Sequence, residues 1–585
     1  WMILMNNTGP LTQNPISAQM NIQARSLPPA QEKDNHKLAI FINKSKTMKY
    51  LSFTLVTLFS FSQWSNAAIQ APTLKWKYGG CYSSWCETGW YSSPAVADLD
   101  GNGTKEIIAS AYSVVALKGS TGEVIWRVDS GKDRSSPPGY SHRTWPGIWI
   151  RDMDGDKIPE IITAHSGGYV SVYDNHGYFK PGWPQRPTTN ELRGLVVSDI
   201  DGDGNAEIIV TGATYGKINT WVFEHNGHLR PGWPQLGNDS GSAWGVFNDN
   251  AWADDLDNDG QKEIIVPSDV TTLCAYRPDG VQVNASSIYG NKKWGAVGTW
   301  ESIDTELRGW GHCNGIRAES FLSNFAHGAA VVADIDNDGT KEIVVTGNMY
   351  DCHAGYPPAK YTSLFIFNAD RSRFKKGAWN WEQAPVNTGA PLSEDYHVIE
   401  SCEPNPVVVD LNGDHVKEIL FASYDGRMHA YWLDKSEHDN WPYSVYHSNE
   451  GFYRFASEPV VADLDRDGCS EVIFTSWVQK TNSGMRLGKL HILDCHGNVI
   501  HEQNLPTPKS SSRHENGALP APTIANIDSD PDYELVINTI NSGFVAYDLP
   551  GSAGAKIQWQ SGRNRNADLE EKITVAPMIH LLLDQ

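Results

Sequence analysis

Short apolar runs rich in Ile, Val and Ala alternate along this chain with Gly- and Asp-rich turns. The first full unit shows the pattern. Ser-Pro-Ala-Val-Ala-Asp (93–98), Glu-Ile-Ile-Ala-Ser (106–110), Ser-Val-Val-Ala-Leu (113–117) and Glu-Val-Ile-Trp-Arg-Val (123–128) are each of strand length. Gly101, Gly103 and Gly119 punctuate them. The unit predicts four short antiparallel strands.

The unit recurs. A small apolar strand precedes the pattern D-x-[DN]-x-[DN]-x-x-x-E, and a strand of Ile, Leu and Val follows it. Copies begin at Asp98, Asp152, Asp199, Asp255, Asp334, Asp410, Asp463 and Asn526, spaced by 47 to 79 residues. Each spacing has room for four strands. A repeat of this size, carrying Gly and Trp at recurrent places, predicts an all-β fold, a single β-propeller of seven or eight four-stranded blades over residues 68–585. Eight acidic loops are counted.

Each loop carries its own chemistry. Asp98, Asp100 and Asn102 place oxygen atoms at positions 1, 3 and 5, with Glu106 at position 9. A backbone carbonyl at position 7 can complete the set. Hard oxygen ligands in a Gly-containing turn suit structural Ca²⁺. The same set is Asp152, Asp154, Asp156 and Glu160; Asp199, Asp201, Asp203 and Glu207; Asp255, Asp257, Asp259 and Glu263. It continues as Asp334, Asp336, Asp338 and Glu342; Asp410, Asn412, Asp414 and Glu418; Asp463, Asp465, Asp467 and Glu471. The last copy keeps Glu534, but Asn526 lacks the first carboxylate and Pro531 replaces the usual Gly, so this loop reads as a capped turn.

Composition adjusts this picture. The net charge of −22 argues against nucleic acid as a partner. Much of that charge sits in the loops, where bound cations would neutralise it. Residues 1–47 lack periodicity and read as a non-structural upstream segment. Met48, the lysines at 44, 46 and 49, the apolar run Leu51 to Phe61 and the small residues Ser65-Asn66-Ala67 resemble a secretory signal peptide over 48–67. A secreted, monomeric protein without a membrane anchor is expected. All eight cysteines follow this segment, and Cys81 and Cys86 are near enough for a local bridge.

Asp199-Ile-Asp201-Gly-Asp203-Gly and Asp334-Ile-Asp336-Asn-Asp338-Gly resemble the FG-GAP/VCBS repeats of integrin-type propellers, over about residues 74–565. The resemblance implies structural calcium on one face. It leaves function open, because such propellers serve as adhesins, lectins and lyases.

With one face given to acidic loops, the opposite face is the expected binding surface. Two histidines fall there: His142 in the connection into the second blade, and His165 after that blade's second strand. Tyr215 occupies the equivalent loop of the third blade, and Arg193 precedes that blade; Trp145, Tyr169 and Trp244 are nearby aromatics. His and Tyr suit proton transfer, and Arg suits a carboxylate, the set needed for β-elimination of a uronate. Arg230 is a further carboxylate candidate, although Lys180 holds the matching place in a repeated Pro-Gly-Trp-Pro-Gln string, which points to a scaffold role. A second cluster combines His312, His327, Cys352 and His353, with Cys313 as substitute, and predicts a structural Zn²⁺ site; a Cys313–Cys352 disulfide is the alternative.

Together these features are similar to propeller-type ulvan lyases. The resemblance implies His142, His165 and Tyr215 as base and acid, Arg193 or Arg230 on the uronate carboxylate, and zinc supporting the fold. The expected partner is an acidic, sulfated polysaccharide. Those enzymes have seven blades against the eight loops here, so an eight-bladed rhamnogalacturonan lyase stands as the alternative, as does a non-catalytic lectin or adhesion propeller. A lectin would repeat its polar and aromatic set in many blades, whereas the His pair here is confined to one.

Overall fold

The computed structural model describes residues 69–81, 86, 92–110, 113–137, 144, 146–212, 214, 218–235, 251–267, 272–297, 311–313, 316–318, 322–323, 325, 329–350, 359–382 and 405–565. Each acidic loop is the hairpin connection between the first and second strands of a small antiparallel sheet. In all eight, the position-9 glutamate accepts the backbone N–H of the position-2 residue at 2.7–3.2 Å, from Leu99 to Glu106 through to Ile527 and Glu534. The glutamate is therefore a latch that closes the turn, whatever else it binds.

Eight sheets follow in chain order, and they form an eight-bladed propeller. Their inner strands are Ala95–Ala97, Trp149–Arg151, Leu192–Ser198, Trp252–Asp254, Ala330–Ala333, Val407–Val409, Val460–Asp463 and Thr523–Ala525. Blade 8 is shared between the two ends of the chain. Its outermost strand is Thr73–Gly79, paired antiparallel with Phe544–Leu549. The sequence left blade number at seven or eight; this closure settles it at eight.

Not every blade has four full strands. In blades 2 and 3 the outer edge is reduced to isolated bridges, Val170 to Gln185 and Tyr173 to Phe179, then Thr220 to Gln235 and Phe223 to Leu229. Pro181 and Pro184, and again Pro231 and Pro234, remove the N–H groups a continuous ladder needs.

Apolar residues pack between blades. One cluster joins Ile107 and Val115 of blade 1 to Val536 and Phe544 of blade 8, and others join each remaining neighbouring pair. Tryptophans bolt the same interfaces. The indole N–H of Trp126, Trp183, Trp233, Trp381, Trp441 and Trp76 donates to a carbonyl of the next blade, at Asn175, His225, Pro278, Leu433, Cys495 and Gly119. A large ring with one polar atom suits a buried joint that also needs direction. Glycine permits the close approach beside one bolt: a Cβ on Gly232 would lie 1.9 Å from the Asp279 carbonyl oxygen. Disulfides join Cys81 to Cys86 and Cys469 to Cys495, the first being the local bridge expected.

Blade 6 buries a charged histidine. His429 lies between the rings of Phe421 and Tyr431, with Nε2 at 3.2 Å from Asp425 and Nδ1 at 3.0 Å from Glu437. Arg427 approaches the same Asp425 carboxylate at 3.7 Å. Burial opposes the charge, but the two carboxylates outweigh it and push His429 up to about 9. An imidazole free in the unfolded chain titrates near 6.5. The pairing thus stabilises the fold fully below about pH 6.5, and the gain is lost as pH rises through 9. Denaturant midpoints of the wild type should fall over that window more steeply than those of His429→Gln. Parallel profiles would refute the pairing.

Beyond blade 8 the chain turns inward. Lys556–Trp559 pairs with the inner strand of blade 7, and the short helix Gly562–Asn564 sits on the axis. Arg563 Nη2 donates to the Ala251 and Ala330 carbonyls of blades 4 and 5, and its backbone N–H donates to Glu458 of blade 7. A Cβ on Gly147 would collide with Arg565. The tail therefore plugs the ring and touches it on several sides.

Candidate functional site

The propeller presents two rims. On the first, acidic loops gather their carboxylates: ligand atoms of Asp98, Asp100 and Glu106 all lie within 4.8 Å of one another, as do those of Asp255, Asp257 and Asp259. What fills the loops differs from blade to blade.

In blade 2, Lys180 Nζ is 2.8 Å from Asp154 and 2.9 Å from Glu160. In blade 3, Arg230 lies 2.6 Å from Asp201, 3.2 Å from Glu224 and 3.5 Å from Glu207. In blade 5, Lys376 is 2.7 Å from both Asp336 and Asp338. In blade 8, Lys75 pairs with Asp528 and sits 2.7 Å from Glu534. Each ammonium or guanidinium occupies the middle of a ligand set. In loops 2, 3, 5 and 8 one internal cation therefore offsets part of the carboxylate charge and would compete with a metal for the same oxygens, although the ligand atoms of Asp152, Asp154 and Glu160, and of Asp199, Asp201 and Asp203, also lie within 4.8 Å of one another.

The other four loops fit a divalent cation better. Val283 stands where Lys180 and Arg230 stand, since the backbone N–H of each donates to the third strand of its own blade, at Ala275, Val172 and Val222. Among the described residues, loop 4 thereby keeps its three aspartates without an internal cation. In loop 6, Glu418 Oε1 is buried with no hydrogen-bond partner, and burial pushes that carboxyl up to about 8. In loop 7, Asp463 Oδ1 is likewise buried and unpartnered, and burial pushes Glu471 up to about 8. Lys556 reaches within 3.9 Å of Asp463 but is largely exposed. Oxygen-only sets with orphaned buried oxygens suit Ca²⁺.

The opposite rim carries the histidine candidate. His165 follows the strand Glu160–Ala164 and is fully buried. Thr144 Oγ1 lies 3.1 Å from Nδ1 and Thr163 Oγ1 lies 2.7 Å from Nε2. The Leu192 N–H donates to the His165 carbonyl at 3.2 Å, which brings Arg193 to the same rim. Arg193 is held by Glu191, with Nε at 2.8 Å. Nearby, Arg186 covers the Tyr169 ring at 4.6 Å. The Leu192–His165 backbone contact places Arg193 one residue from a neighbour of His165, while Arg230 lies apart and serves an acidic loop on the far rim, as the repeated string around it suggested. His142, Tyr215, Trp145 and Trp244 lie outside the described residues.

His312 and Cys313 lie in the strand Gly311–Cys313, paired with Ile316–Ala318. Their side chains, and His327, Cys352 and His353 altogether, lie outside the described residues.

Residues 152–210 and 199–266 match the FG-GAP-like repeat family. The matched stretch runs from the acidic loop of blade 2 to the second strand of blade 4. No curated protein shows significant sequence similarity to the chain. Among solved structures, the chain is similar to the biofilm matrix protein Bap1 of V. cholerae, at 15% identity and TM-score 0.42 over 84% of this chain and 94% of that one. It is similar to BamB from Moraxella catarrhalis, at 13% identity and TM-score 0.43 over 78% and 99%. It is also similar to the rhamnogalacturonan lyase YesW, at 15% identity and TM-score 0.41 over 79% and 72%. Among the described residues, no helix is long and apolar enough to cross a membrane.

Proposed function

We propose that this propeller is a secreted polysaccharide lyase that cleaves a uronate-containing sulfated glycan of the ulvan type by β-elimination. The observation that carries the reading is the junction of blades 2 and 3. There the rim away from the acidic loops sets His165 beside the strand bearing Arg193. Arg193 neutralises the uronate carboxylate, which makes the C5 proton easier to remove. His142 and Tyr215 supply base and acid, and His165 positions the rim through its two threonine hydroxyls. Structural calcium belongs to loops 1, 4, 6 and 7. Structural zinc belongs to His312, His327, Cys352 and His353.

A non-catalytic carbohydrate-binding propeller is the second reading. It is favoured by the burial of His165, whose two ring nitrogens both face hydroxyls rather than an open cleft. Rhamnogalacturonan is the alternative substrate. One assay separates the readings. The protein is incubated with ulvan, with rhamnogalacturonan and with other uronates, and the absorbance of unsaturated uronate is followed. A rise on ulvan, abolished by His142→Ala and by Tyr215→Phe in folded variants, is the expected result. No rise on any of these glycans would leave the binding reading, and full activity in both variants would overturn the site.

A further inference from the structure

The axis of the ring holds a cationic hole in an acidic protein. A cavity of about 240 Å³ lies among the inner strands of blades 2, 3 and 4 and the C-terminal plug. Trp149 and Trp252 are among its walls, and Arg151, Lys262 and Arg563 supply positive charge. Its one carboxylate, Asp254, is paired with Lys341 at 2.6 Å. Lys262 Nζ donates to Ser198 Oγ at 3.0 Å. No described residue pairs with Arg151. Arg563 is buried, with its guanidinium 4.9 Å from the Trp252 ring. Its Nη2 is spent on two carbonyls, while Nη1 has no hydrogen-bond partner.

Arg563 lines the cavity beside two more cations, its own unpartnered Nη1 being closed off from it, and the guanidinium of Arg151 is the one left for a ligand. A planar fork of N–H donors matches an oxyanion. The indole walls match the apolar face of a sugar ring, and the volume suits about one such residue. We propose that this axial cavity binds an oxyanion group, the carboxylate or sulfate of one acidic sugar unit. The inference deepens the acidic-glycan reading and locates a binding subsite away from the His165 rim.

Equilibrium binding tests it apart from cleavage. Calorimetric titrations of the full chain with sodium sulfate, glucuronate, glucose and an ulvan oligosaccharide are run at fixed calcium and ionic strength. Glucuronate and sulfate should bind with one-to-one stoichiometry and glucose should not. Arg151→Gln should weaken both at least tenfold. Lys262→Gln, checked for folding by circular dichroism, should do the same and stands in if the first variant fails to fold. Tighter binding of the oligosaccharide than of either small anion identifies the glycan as the source; equal binding identifies the free anion. No binding of either anion to the wild type, glucose binding as well as glucuronate, or affinities unchanged in both variants would overturn the proposal. A silent lyase assay with these bindings intact would remove the catalytic reading and leave the subsite.

Discussion

Arg563→Ala should destabilise the propeller by about 3 kcal/mol or more, the largest cost expected of any single charge removal in this chain. The guanidinium ties the Ala251 and Ala330 carbonyls of adjacent blades, and the substitution leaves both without their donor. It also removes the charge that faces Glu458. That carboxyl is buried and pushed up to about 7 by burial, against the Arg563 N–H, Asn405 and Trp559 that hold it down. Arg563→Lys should recover little. The shorter lysine does not carry its nitrogen to the place of Nη2, which serves both carbonyls, and it leaves a gap on the Trp252 ring. Urea denaturation measures this, with Lys118→Ala as a surface control whose exposed pair with Glu123 should matter little. An Arg563→Ala midpoint equal to wild type would mean that the tail does not brace the ring.

The stretch near Arg563–Arg565 resembles a closing segment in sequence, but its burial on the axis was not legible there. Arg563 and Arg565 lie after the last acidic loop, in a stretch with no repeat, and nothing local marks them as buried. The side-chain partners of Arg563 are carbonyls in blades 4 and 5, which have no side-chain signature. Lys75 is the same case at the other end of the chain, since ring closure alone carries it to Asp528 and Glu534. The repeat, by contrast, was legible because position matters within it. Alternate carboxylates and a fixed glutamate mark the hairpin turn in every copy, and the apolar runs beside them mark the strands. Blade count stayed open because the eighth blade is split between the chain ends, a fact of topology rather than of pattern. Two filled loops did leave a signal. Lys180 and Arg230 stand at one place in a repeated Pro-Gly-Trp-Pro-Gln string, and Val283 breaks the series. A basic residue repeated in step with an acidic loop is a sign of an internal ion pair. The histidine rim was legible only in part, because burial of His165 depends on Thr144, which belongs to a different connection.

Calcium titration should find four sites, not eight. Where Lys180, Arg230, Lys376 and Lys75 hold the carboxylates, a metal gains their oxygens only by breaking charge-assisted contacts, at least one in each loop at 2.6–2.9 Å. Among the described residues, no lysine or arginine contact of this length enters loops 1, 4 and 6, and loop 7 has only the exposed Lys556, 3.9 Å from Asp463. If each binds with a dissociation constant near 0.1 mM, typical of extracellular loops, 1 mM calcium stabilises the fold by about 1.4 kcal/mol per site. Four sites in one cooperative unit give about 6 kcal/mol, so chelation should lower the thermal midpoint by several degrees. Lys180→Ala carries the sharper test. It frees Asp152, Asp154, Asp156 and Glu160, a complete set, and should raise the count to five. Without calcium the same variant should be less stable than wild type, because Glu160 is left buried opposite like charges; with calcium the deficit should shrink or vanish. Lys75→Ala should add no fifth site, since in that loop Asn526 replaces the aspartate at position 1 and Pro531 replaces the usual Gly. Eight sites in the wild type, or an unchanged count in Lys180→Ala, would show that the internal cations do not take the place of the metal.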